Sequence, residues 1–115
     1  MPDAFKPTLK MAANARRGLK LRAEFHRGGT MVGVRRAQQL VERSALDETD
    51  VKSMHSYFAR HAVDRRGNAH RWGSATDPSA GYIAWLLWGG DEGKEWADRN
   101  AEKLKAGDTA AGRDG

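Results

Sequence analysis

The chain has 115 residues, which is the size of one domain, with 39% hydrophobic and 30% charged residues and a net charge of +5. It contains no cysteine, which excludes disulfides, thiolate zinc sites and a cysteine nucleophile and suits a reducing compartment. The longest apolar run, Tyr82 to Trp88, is too short to span a bilayer, and no secretory h-region is visible.

The charge is unevenly placed. Residues 1–71 carry 15 Lys/Arg against 7 Asp/Glu, whereas residues 72–115 carry 5 against 8. A basic lobe of this kind points to an anionic partner, nucleic acid first, although it also serves as a solvated surface.

Taken in chain order, residues 1–7 form an N-terminal arm, residues 8–105 a helical domain, and residues 106–115 a disordered tail. The first helix runs from about Thr8 to Phe25. Winding at 100° per residue puts Met11, Ala12, Ala15, Leu19, Ala23 and Phe25 on one face. Lys6, Lys10, Arg17 and Lys20 fall opposite, with Arg16 at the border and Glu24 as the single acid. Leu21 sits at the edge of the apolar arc. Arg22 lies inside it and must either snorkel outward or find a buried partner.

His26-Arg27-Gly28-Gly29-Thr30 ends that helix, and Thr30 can cap the next. The second helix, about Met31 to Arg43, presents Val34, Ala37, Leu40 and Val41 to the core, with Arg35 directed elsewhere. Asp47 caps the third helix, and Leu46 at N′ can staple to Val51 at N4. Its stripe is Val51, Met54, Phe58, His61 and Ala62, with Tyr57 at the margin. Lys52, Ser56 and Arg60 form an exposed i, i+4, i+8 row. Asp64 to Thr76 reads as a loop. Asp77-Pro78 then gives an N-cap followed by proline at N1. Tyr82, Ile83, Trp85, Leu86, Leu87 and Trp88 cover nearly the whole circumference of a fourth helix, which places it at the centre of the core. Gly89-Gly90 breaks it. Asp91 can cap a last helix reaching about Lys105, with Trp96, Ala97, Ala101 and Leu104 inward. The expected fold is therefore all-α: a single compact domain of four to five short helices around Trp85, Leu86, Trp88, Phe58, Leu40 and Leu19.

The second and third helices form a helix-turn-helix-like pair in the middle of the chain, though the turn is longer than standard and lacks its usual glycine. In that reading Lys52, Ser56 and Arg60 face DNA, while Arg17, Lys20 and Arg35 contact phosphates. Arg27-Gly28-Gly29-Thr30 suits a phosphate cradle, but helix punctuation is the simpler explanation, and no P-loop lysine is present. His55 and His61 are six apart and His70 follows with Asp64 nearby, which is not metal-ligand spacing; no metal or other cofactor is expected. The uncharged Tyr82–Trp88 run suits burial better than base stacking. No nucleophile elbow or paired-carboxylate pattern is visible, so the expectation is a binding protein and not an enzyme.

Three segments together resemble a small tailed-bacteriophage domain that occurs alone or appended to phage head proteins. They are Gly28-Gly29-Thr30 with Val32-Gly33-Val34 and Arg36-Ala37, then Ser56-Tyr57-Phe58-Ala59-Arg60-His61, then the run from Pro78 through Trp88 to Gly89-Gly90-Asp91. The likeness covers roughly residues 14 to 98. It implies a setting in the host cytoplasm or the virion, with DNA in preference to RNA, or a phage head or host protein, as partner, and no membrane. It implies no functional residues. The alternative function is a protein-interaction adaptor in head assembly or host takeover, with no role in nucleic-acid binding.

Overall fold

The computed structural model describes residues 5–63 and 72–114. These residues form five helices: α1 (Leu9–Phe25), α2 (Met31–Val41), α3 (Glu48–His61), α4 (Ala80–Leu87) and α5 (Gly90–Asp114). Among the described residues there is no strand, only an isolated antiparallel bridge between Phe5 and Leu46.

Local chemistry sets the helix starts. Thr8 accepts from the Met11 amide at 3.1 Å, and Asp47 and Asp50 exchange side-chain-to-backbone bonds of 2.8 and 3.0 Å. Each such cap contributes about 1 kcal/mol. Leu46 and Val51, the expected staple, are both buried.

Two caps differ from expectation. Ser79, not Asp77, caps α4, accepting from the Tyr82 amide at 3.1 Å. Asp77 is drawn away by Arg27, whose Nη1 donates to its carboxylate at 3.0 Å. Asp91 does not cap α5 either. The helix begins at Gly90, and the Asp91 carboxylate accepts the indole N–H of Trp85 at 2.9 Å. In both cases a tertiary partner outcompetes the local one. At the other end α5 continues to Asp114, past the expected stop near Lys105. No proline follows Pro78 to block that continuation.

α4 occupies the middle, as its all-round apolar sequence requires. Ile83, Trp85, Leu86, Leu87 and Trp88 are buried, with α4 packed against α1, α2, α3 and α5. Each large side chain buried in this way contributes about 1.5–3 kcal/mol. Trp85 meets Phe58 edge-on at 4.8 Å between centroids, and Trp88 stacks on Tyr57 at 4.3 Å with their planes 4° apart. A smaller cluster of Leu21, Ile83 and Leu86 closes the far side of α1 against α4.

The α1 stripe differs in detail from the periodic reading. Leu21 and Gly18 are buried, Leu19 is half-buried and Ala23 is exposed. Gly18 sits where α1 and α4 approach closely: a Cβ there would lie 2.9 Å from the Leu87 nitrogen. In α2 the buried set is Gly33, Arg36, Ala37 and Leu40, with Val34 and Val41 only partly covered. In α3 Tyr57 is buried and His61 half-buried.

The N-terminal arm is docked at its inner end. Phe5 and Leu46 exchange two backbone hydrogen bonds of 2.9 Å, Arg43 Nε donates to the Pro7 carbonyl at 2.9 Å, and Trp96 Nε1 donates to the Lys6 carbonyl at 3.1 Å.

Candidate nucleic-acid interface

α1 packs against α2 and α4, and more lightly against α5, and its remaining face is left to solvent. That face exposes Lys10, Arg16, Arg17 and Lys20, with Glu24 the one acid among them. Arg35 is exposed on α2, the next helix. Arg16, Arg17, Lys20 and Arg35 form no ion pair among the described residues. Arg17, Lys20 and Arg35 are thus brought onto two adjacent packed helices.

The α3 row is different. Lys52, Ser56 and Arg60 are all exposed, as their spacing indicates. α3, however, packs chiefly on α5, while α2 packs chiefly on α1. The pair expected to resemble a helix-turn-helix follow one another through residues 42–47 and are tied by Arg36, whose Nη1 donates to Asp50 at 2.9 Å. Their broadest packing is made with other helices. Within the row, Lys52 is held by Glu48 at 2.9 Å. Arg60 has no polar partner among the described residues and stands at the rim of a cavity of about 520 Å³ between α2, α3 and α4. Thr30, the N-cap of α2, and Val32 line it on one side, Ser53 and Tyr57 from α3, and Ala80 and Ala84 from α4.

The glycine pair after α1 is explained by packing. Gly28 has φ +95°, and a Cβ there would lie 2.6 Å from Ile83 Cβ, so the loop reaches α4 only without a side chain. Arg22 finds the partner its position demanded: its Nε donates to the Gly28 carbonyl at 3.0 Å. Arg27 is engaged by Asp77 and by the Pro78 carbonyl at 2.9 Å. These bonds make Arg27-Gly28-Gly29-Thr30 a structural joint between α1 and α4.

Carboxylates elsewhere are committed. Burial pushes Asp50 up, but the Asp47 amide and the Arg36 guanidinium outweigh it and hold the carboxyl below its usual value. Burial likewise opposes, and hydrogen bonds from Lys94 and His55 prevail, at Asp98. His55 Nδ1 lies 2.9 Å from that carboxylate. Among the described residues no three His, Asp or Glu side chains are grouped to hold a metal ion; His70 and Asp64 lie outside them. No described helix is long and apolar enough to cross a membrane.

Arg36 escaped the sequence reading. It is buried, stands 5.5 Å over the Trp88 ring, and leaves its Nε without a hydrogen-bond partner among the described residues. The signal was present, because 33, 36, 37 and 40 are spaced as one helical stripe, but glycine and arginine do not register as apolar.

No protein-family model, curated protein or solved structure matches the chain.

Proposed function

We propose that this chain is a phage-type nucleic-acid-binding protein that contacts the phosphate backbone, DNA in preference to RNA, through its basic helix faces. The observation that carries this reading is the set of exposed cations on α1, Arg16, Arg17 and Lys20, together with Arg35 on the adjacent α2, none of them in an ion pair among the described residues. Cations without intramolecular partners keep their full charge for a polyanion, whereas Lys52 must first release Glu48. Arg17, Lys20 and Arg35 are therefore the principal contacts, and Arg60 and Ser56 a second patch on α3. The likeness to a tailed-phage domain supplies the setting, host cytoplasm or virion. The role is binding and not catalysis.

Titration into labelled single- and double-stranded DNA, followed by anisotropy at several salt concentrations, tests the proposal. Saturable binding that weakens as salt rises supports phosphate contacts, with a log–log slope of about −0.9 per contact on duplex DNA. Absence of binding at low salt overturns it.

A second reading, an adaptor for a phage head or host protein, draws on Met31 and Val32, which are 64% and 60% exposed at the start of α2. Apolar side chains this open suit a protein partner. Trp85 and Trp88, by contrast, are buried. Retention of a defined protein after nuclease treatment favours the adaptor.

A further inference from the structure

Arg60 borders a space that the basic-face reading does not use. The cavity between α2, α3 and α4 holds about 520 Å³, within the range of small-molecule sites. Its α4 wall is built from Ala80, Gly81 and Ala84, which present little bulk and no polar side chain to it. Trp88 also lines the cavity, its ring stacked on Tyr57.

The electrostatics of this space have one sign. Among the described residues no Asp or Glu lines it, and Arg60 is exposed at its rim with no partner. The first turns of both α2 and α4 border it, through Thr30 and Val32 on one side and Ala80 and Gly81 on the other. Each N-cap side chain bonds only the third amide of its helix, Gly33 from Thr30 at 3.3 Å and Tyr82 from Ser79 at 3.1 Å. Each helix start adds roughly half a positive charge, so Arg60 and two helix starts act together on a cavity whose described lining residues include no Asp or Glu. The Ser53 hydroxyl supplies a further donor. Cationic and hydroxyl donors beside a small-residue wall and the stacked Tyr57 and Trp88 rings suit a ligand with one anionic group and one planar, largely apolar body.

We infer that this cavity binds a nucleoside 5′-monophosphate, its phosphate at Arg60 and the helix starts and its base against the Ala80–Ala84 wall. The ligand is either a free mononucleotide or the 5′-phosphorylated end of a strand. The second case rests on the nucleic-acid-binding reading above; the first does not.

The test is titration of the full chain with adenosine 5′-monophosphate, followed by tryptophan fluorescence, with adenosine and inorganic phosphate as separate arms. Saturable quenching by the monophosphate is expected, at least tenfold tighter than by adenosine. Arg60→Gln, an exposed substitution, should weaken it about tenfold. Ala84→Leu, which fills the cavity, should abolish it while circular dichroism stays unchanged. If Ala84→Leu unfolds the chain, Ser53→Leu on the opposite wall serves the same purpose. Equal affinity for adenosine or for inorganic phosphate, or indifference to both Arg60→Gln and a cavity-filling variant, overturns the inference. Oligonucleotides with and without a 5′-phosphate separate the two sources: a preference for the phosphorylated end places a strand terminus in the cavity, and monophosphate binding without that preference assigns the cavity to the free nucleotide. Monophosphate binding without oligonucleotide binding leaves the cavity intact and removes the nucleic-acid reading. Oligonucleotide binding with no monophosphate effect does the reverse.

Discussion

Arg36 Nη1 donates to Asp50 Oδ1 at 2.9 Å, joining the middle of α2 to the first turn of α3. The same Arg36 nitrogen reaches Gln39 at 2.8 Å, while Asp50 also accepts from the Asp47 amide at 3.0 Å. One carboxylate thus serves both a helix cap and an interhelical tie. The guanidinium is nine-tenths buried, whereas Asp50 is a quarter exposed, so the pair is only partly screened by water.

Arg36→Ala should therefore destabilise the fold by about 2–3 kcal/mol, at the low end for breaking a buried pair because Asp50 keeps its capping bonds and some water. Arg36→Met, which keeps apolar contact with Trp88, should lose less. Urea denaturation reads both, and a shifted midpoint with an unchanged slope identifies a stability effect.

Acid should unfold the protein from a predictable side. Asp50, Asp98 and Glu92 all have folded-state values below their ordinary 3.8, 3.8 and 4.5. The unfolded chain therefore binds protons first as the pH falls, and stability present above about pH 5 is lost progressively below about 4.5. For Glu92 the leading cause is the hydrogen bond from Asn14, followed by its own backbone. Asn14→Ala should accordingly flatten the acid limb of a plot of thermal midpoint against pH. An unchanged limb would remove Asn14 as the cause.

Gly18→Ala tests the α1–α4 packing. Helix propensity favours alanine by about 1 kcal/mol, but the added methyl would stand 2.9 Å from the Leu87 backbone nitrogen and 3.0 Å from Leu86 Cβ. Overpacking against backbone costs about 1–3 kcal/mol, so net destabilisation is expected. A rise in thermal midpoint would mean that the two helices move apart cheaply.

Charge reversal separates the two basic patches. Arg17→Glu with Lys20→Glu should weaken DNA binding at least tenfold and reduce the salt slope by about 0.9 for each phosphate that is no longer neutralised. Lys52→Glu should matter less, because Lys52 already pairs with Glu48. If the α1 pair has no effect and Lys52→Glu does, α3 is the binding helix.

The sequence made much of this architecture legible for physical reasons. Helix starts at Thr8, Thr30 and Asp47 were readable because their partners lie three residues away. Asp77 and Asp91 misled because their partners, Arg27 and Trp85, were chosen by tertiary packing. The exposure of Arg17, Lys20, Arg35, Lys52, Ser56 and Arg60 follows from helical periodicity alone. What periodicity does not give is which exposed rows share a surface. Nor does it show that Ala80 and Ala84, unremarkable in the chain, leave a cavity where α4 faces Arg60.

The docking of residues 5–7 has a consequence for the order of assembly. Lys6 receives its bond from Trp96, a residue 90 positions later, and Phe5 pairs with Leu46. During synthesis this segment leaves the ribosome well before Trp96 exists. The α1–α2 hairpin can form early, but the earliest of these segments to emerge must wait for α5 before it is fully seated. The joint at Lys6 is thus a late latch, closing only once the chain has been made through Trp96.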